Sequence, residues 1–261
     1  LYGWFVLPES LPPEKRTRRF DWKHANPIGS LGMLAKYPQV FGLAAVVLIA
    51  NFAHFVRVFE HSPPFTRYGQ LEFHLETIAA RRNLGSVANA LADDTFLRSL
   101  YRTLQAWGIG ARASNLVAEA EFVTVLRSKA SALAAFDGMR IDDRSLHVSA
   151  VSEQLWRTIE ALGIVVNNSK IVPGTKTLHH ILPDLVVPVD RAYTQKFFRW
   201  HNPEFQYGQA SAFHHCFSAF VEIARAVDPA KYVGGGWNSS RTKVIDNAIV
   251  GMLCDEERRA S

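Results

Sequence analysis

VANALADDTFLRSLYRTLQAWG, residues 87–108, reads as helix from end to end. Leu91, Leu97, Leu100, Tyr101 and Leu104 recur at the 3.6-residue spacing that gathers apolar side chains on one side. Ser86 stands where an N-cap hydroxyl takes up a first-turn N–H, and Gly108 stands where a left-handed residue stops the helix. The same grammar extends in both directions. Upstream, LEFHLETIAARR puts Leu71, Leu75, Ile78 and Ala79 on one face. Downstream, Ser114 caps a helix reaching about Phe136 and stopping at Asp137–Gly138. Ser149 or Ser152 opens the next, with Val151, Leu155, Ile159 and Leu162 as its stripe. Helices follow over 192–200 and 207–227, the latter apolar at Phe213, Phe217, Phe220, Val221 and Ala224. Asn238 or Ser239 caps a last one through about Cys254. Strand signals are few; IVVNNSKIV, 164–172, reads as one short hairpin around Asn167–Asn168. The expected fold is an all-α, multi-helix globular domain over 70–261, and about 190 residues can bury a core unaided.

The composition agrees. Of 261 residues 48% are hydrophobic and 20% charged, which excludes wholesale disorder and collagen-like structure. Two cysteines, Cys216 and Cys254, make neither a disulfide framework nor a four-cysteine zinc site. The net charge of +5 is uneven: 1–56 carries +3 and the other 205 residues only +2. The basic total is therefore a weak pointer to nucleic acid over 57–261.

The first fifth differs in kind. LYGWFVLP reads as the end of an apolar helix stopped by Pro8, and ESLPPEKRTRRFDWKHANP as loop. IGSLGMLAKY suits a short amphipathic helix. Residues 40–56, VFGLAAVVLIANFAHFV, form an apolar helix at the short limit for a membrane span, or else a buried core helix. Basic residues before it would keep the preceding loop cytoplasmic. Ser62–Pro63–Pro64 marks a boundary, so 57–69 is expected as linker.

Residues 1–56 resemble the central region of tetracycline-resistance-type major facilitator transporters. The FVLPESLPPE stretch is similar to the end of their sixth helix. The basic loop with FDW and ANP, and then the apolar 40–56, are similar to their cytoplasmic loop and seventh helix. The resemblance implies a membrane origin for this piece, with a cytoplasmic domain attached through 40–56. Transport is not expected, because one helix and part of another cannot build the two repeated halves of such a fold. A composite or truncated chain is the expectation.

The chemistry concentrates in SKIVPGTKTLHHILPDLVVPVDRAYTQKFF, 169–198. Pro173–Gly174 reads as a tight turn, Thr175 as the N-cap of KTLHHIL, and the exposed N–H groups of such a turn suit a phosphate, with Lys176 beside them. Pro183 and Pro188 frame an extended linker, and Asp190 opens the next helix. Two readings of Asp190 stand together: a helix cap worth about 1 kcal/mol, or a functional carboxylate.

VPGTKTLHHILPDLVVPVD is similar to the helix-hairpin-helix segment of base-excision DNA glycosylases. It also resembles uncharacterised bacterial all-helical domains with a K-x-LHH-x-LPDL-x-P-x-D stretch. The glycosylase resemblance implies that Gly174 faces a DNA phosphate, that Lys176 holds the Schiff-base lysine position of bifunctional members, and that Asp190 is the catalytic carboxylate. Lysine and aspartate lie 14 positions apart here, and Thr175 stands where the family usually has a second glycine.

Three further segments carry weaker signals. VGGGWNSSRTK, 233–243, suits a phosphate at a helix start, with Arg241 and Lys243 in its first turn, but lacks P-loop spacing. His179–His180 and His214–His215–Cys216 could in principle offer zinc ligands with Asp184. Adjacent helical residues point about 100° apart, however, so no metal site and no cofactor is expected. FFRWHNPEFQY, 197–207, could stack on bases. The expected function is a nucleic-acid-binding, DNA-glycosylase-like domain, with Gly174, Thr175, Lys176, Arg191, Arg241 and Lys243 contacting nucleic acid. The alternatives are a non-enzymatic helical interaction domain and a membrane-associated transporter fragment. A basic cleft gathering Lys176, Arg191, Lys196, Arg241 and Lys243 would favour the first.

Overall fold

Ser86 does cap a helix: its Oγ accepts from Asn89 N at 3.1 Å. That helix is short, though. The computed structural model describes residues 43–110, 115–198, 200 and 205–260, and within them 87–107 is two helices rather than one. Asp93 is a second cap, accepting from Phe96 N at 2.6 Å, and it restarts the chain in a new direction. Twelve α-helices are found among the described residues, as the sequence pattern implied for an all-α domain. They are α1 Leu43–Ala50, α2 Phe52–His61, α3 Gln70–Asn83, α4 Val87–Ala92, α5 Asp94–Ala106, α6 Glu119–Ser128, α7 Ala130–Ala134 and α8 Val148–Leu162. Then come α9 Ile171–Ile181, α10 Thr194–Phe197, α11 Gln209–Val227 and α12 Arg241–Ala260, with a 3-10 turn at Pro229–Tyr232.

Most expected stripes are core. Leu91, Leu97, Leu100 and Leu104 are buried, as are Val151, Leu155, Ile159 and Leu162 of α8 and all five apolar residues named on α11. The face of α3 is a correction. It buries His74, Thr77, Ile78 and Arg81, while Ala79 is exposed and Leu71 and Leu75 are half-buried. Each buried polar group there has partners, which removes the cost of burying it. Thr77 bonds Ser99 and Thr103, and Arg81 donates to Ile181 O at 2.7 Å and to Asp137 at 3.0 Å.

The hairpin expected over 164–172 is not formed. Val165 makes one isolated bridge to Leu116, and Ile171 already begins α9. The helix expected from Ser114 starts at Glu119 and breaks at Lys129; Ser114 itself lies outside the described residues. The last helix is capped by Ser240, whose Oγ accepts from Lys243 N, rather than by Asn238 or Ser239.

The single apolar helix expected over 40–56 is two helices bent by 84° at Asn51. No single helix among the described residues is long and apolar enough to cross a membrane, although α1 and α2 together pass by length and composition. Phe52, Phe55, Val56 and Phe59 of α2 are buried. They lie against α12, where a Cβ on Gly251 would overlap Phe55 O. Asn238 donates to Glu60 at 2.6 Å on the same side. The described residues from 43 onward therefore belong to one unit, and the boundary expected at 57–69 falls inside it. The readings made on 1–42 lie outside the described residues.

Candidate functional site

Helix α9 and the irregular return segment after it build the site. Pro173 is accommodated because it falls in the first turn of α9, where its missing N–H costs nothing. Past Pro183 the chain turns and runs without regular secondary structure through Val186–Val189. Thr175 is not an N-cap. Its Oγ donates to Ile171 O at 2.7 Å and accepts from Val189 N at 3.1 Å, tying the return segment to the helix. One residue along, Lys176 and Asp190 meet: Nζ lies 3.3 Å from Oδ2. The same 14-residue offset thus makes both contacts.

This pair lies on a cavity of about 690 Å³. Its walls come from the loop before α3 (Phe65, Arg67), the end of α5 (Trp107), α9, the turn at 190–195, Trp237 in the loop before α12, and the start of α12 (Lys243, Asp246). The segment expected as a linker is therefore one wall. Asp190 Oδ1 accepts from Ala192 N at 2.7 Å, and Asp190 N donates to Thr194 Oγ1 at 3.0 Å. Burial pushes the Asp190 carboxyl up, but Lys176 and the Ala192 N–H outweigh burial and hold it below the usual carboxylate range. Lys176 also reaches Trp107 O at 3.4 Å and faces the Trp107 ring.

A second ion pair sits in the same cavity. Lys243 Nζ is 2.5 Å from Asp246 Oδ2 and only 2% of that side chain is exposed. Three rings surround its ammonium: Phe65 at 5.0 Å, Trp237 at 5.0 Å and Trp107 at 5.2 Å. Burial pulls the Lys243 amine below the usual lysine range and pushes the Asp246 carboxyl up, each opposed by the other's charge.

Behind Trp107 lie His74, His179 and His180, all fully buried. His74 Nδ1 meets His180 Nε2 at 3.0 Å and His74 Nε2 meets Ser239 Oγ at 2.7 Å. His180 Nδ1 approaches Lys176 O at 2.8 Å, and His179 Nδ1 approaches Thr242 at 3.0 Å. The rings of His74 and His179 stack at 5.7 Å, and His74 lies 5.1 Å from the Trp107 ring. Burial holds all three below the ordinary histidine range, His180 at about 4. They form a neutral, packed support for the site. Among the described residues no group of three or more His, Cys, Asp or Glu is placed to hold a metal ion.

Of the residues singled out in the sequence, Lys176, Asp190, Arg191 and Lys243 line the cavity. Gly174 does not face a phosphate. It is buried against α8, where a Cβ would come within 2.6 Å of Ile159 Cγ2. The hairpin expected at 173–175 is helix, and Thr175 is wholly buried. Arg241 points elsewhere, paired with Asp142 at 3.2 Å and Asp184 at 3.3 Å, and Lys196 pairs with Glu257 at 3.0 Å. The five cations thus do not share one cleft. Asp246, Phe65, Trp107 and Trp237 were not legible as site residues. Only the Lys243–Asp246 spacing of three, two charges on one helical face amid apolar neighbours, carried a signal. No protein-family model, curated protein or solved structure matches the chain.

Proposed function

We propose that the cavity receives a base of a nucleic acid, and that the domain acts as a DNA-glycosylase-like module with Asp190 as its working carboxylate. The observation that carries this reading is the Lys176–Asp190 contact of 3.3 Å on an aromatic-walled cavity. A lysine held against an aspartate keeps that aspartate ionised at neutral pH. An ionised carboxylate in a partly dry site stabilises positive charge developing on a sugar as its base departs. Phe65, Trp107 and Trp237 line the cavity with aromatic rings, and base–ring stacking is worth about 1–3 kcal/mol per base. Exposed Arg67 and Arg191 at the rim suit backbone phosphates, and Tyr68 beside Arg67 is 95% exposed. With Gly174 buried, phosphate contact would come from this rim, and a base already unstacked or single-stranded would enter most readily.

A second reading has its own observation. Asp190 accepts from Ala192 N and so organises the turn at 190–194 without any ligand. In that case the domain is a non-enzymatic interaction module. The two readings separate on one assay: release of free base from single-stranded and duplex oligonucleotides carrying a panel of damaged bases. Base release that Asp190→Asn abolishes, in a variant whose circular dichroism shows it still folded, supports excision. No release from any substrate leaves Asp190 as a structural residue.

A further inference from the structure

We propose that Lys243 is a carbonyl-reactive amine, and that the cavity takes a small aldehyde or ketone bearing a phosphate or carboxylate. This does not rest on the nucleic-acid reading. Lys243 Nζ lines the cavity between the rings of Phe65, Trp107 and Trp237, with Asp246 Oδ2 at 2.5 Å. An ion pair buried for stability alone gains little over apolar packing. This one has an open cavity in front of it and a second cation, Lys176, across the same Trp107 ring. Burial favours the neutral amine and the neutral acid, the forms that condensation requires.

The chemistry balances within the pair. The neutral Lys243 amine attacks the carbonyl carbon; a C–N bond forms and the C=O π pair moves to oxygen. Asp246 gives that oxygen its proton and takes one from the new ammonium, leaving a neutral carbinolamine. Asp246 then protonates the hydroxyl, water leaves, and an iminium stands beside the Asp246 carboxylate. Nothing is oxidised or reduced. Lys176 is placed to meet the anionic end of the substrate.

The test uses glyceraldehyde 3-phosphate as probe, with sodium cyanoborohydride to trap the imine and peptide mass mapping to locate it, in the absence of nucleic acid. Lys196 and Lys231, both exposed, are internal references. Lys243 should be labelled at neutral pH at least about tenfold faster than either, the free-amine fraction rising about tenfold for each pH unit by which an amine titrates lower. Lys176→Met should weaken Lys243 labelling by the phosphorylated probe more than labelling by glyceraldehyde itself. Asp246→Asn frees the amine from its counter-charge but removes the acid, so the plateau of Lys243 labelling reached at high pH should fall although circular dichroism stays unchanged. Labelling of Lys243 no faster than of Lys196 and Lys231 overturns the proposal, and labelling at Lys176 in its place does so too. Either result leaves the base-pocket reading standing, and labelling of Lys243 in a protein that binds no oligonucleotide retires that reading alone.

Discussion

Val189 N donates to Thr175 Oγ at 3.1 Å, and that bond sets the next residues along each segment, Lys176 and Asp190, in contact at 3.3 Å. The site therefore depends on a hydroxyl that touches no cavity. Thr175→Val keeps the volume and removes the acceptor, leaving Val189 N buried without a partner. Such an orphan costs about 1–3 kcal/mol. Denaturant unfolding should show a loss of that size, with the slope unchanged. A variant as stable as the parent would mean that the return segment is held by its apolar contacts alone.

Gly174 gives the second expectation. A Cβ there would lie 2.6 Å from Ile159 Cγ2, so Gly174→Ala overpacks the α8–α9 contact. Overpacking of this kind costs about 1–3 kcal/mol. Ile159→Ala removes Cγ1 and Cγ2, the atoms the new Cβ would meet, so the double mutant should lose less than the sum of the two single losses. Additive losses in the double mutant, measured by thermal unfolding, would contradict the contact. A role for Gly174 at a phosphate predicts instead a loss of ligand affinity without loss of stability.

Acid stability follows from the three buried histidines. Their folded values lie below the ordinary 6.5, His180 at about 4, because burial disfavours the imidazolium. The unfolded chain then binds protons that the folded chain refuses. The histidines' contribution is fully present above about pH 6.5 and is lost as pH falls toward 4. Each histidine adds a slope of about 1.4 kcal/mol per pH unit in that window. Asp190, held below its ordinary value, is lost in the same direction at lower pH. Melting temperature should drop steadily from pH 6.5 to 4, and His180→Gln should flatten the curve. A flat profile across that window would mean that the cluster is already protonated when folded.

How much of this was legible follows from the range of each signal. The caps at Ser86 and the stop at Gly108, φ 81°, depend on neighbours within one turn and were read correctly. Asp93 was hidden because LADD continues the helical spacing, and only its side-chain bond to Phe96 N reveals the break. Pro173–Gly174 looked like a turn because both residues are turn formers. Yet Pro173 fits a first helical turn, and Gly174 serves a close helix crossing that no local pattern encodes. The polar face of α3 was missed since its partners, Ser99, Asp137, His180 and Ser239, lie up to 165 positions away. Lys176 and Asp190 were found by motif, but their contact needed the fold.

The packing of α2 makes a prediction about the chain's extent. A chain beginning at residue 70 loses the helix that covers α12 around Gly251 and exposes Val250 and Trp237. It should melt broadly or aggregate, while a chain beginning at residue 39 should melt cooperatively. Equal cooperativity of the two would make α2 dispensable. Gly251→Ala in the full chain should destabilise for the same reason, since its Cβ would meet backbone rather than a movable side chain.

The base-pocket account is tested most directly by the salt dependence of binding to a single-stranded oligonucleotide, measured for the parent and for Arg67→Ala. Arg67 is exposed at the cavity rim, so its removal leaves the core intact. The account predicts affinity falling linearly with salt on logarithmic axes, and a slope reduced by about 0.7 in Arg67→Ala, one phosphate contact fewer. Binding that is absent, or that shows the same slope in both proteins, would contradict it.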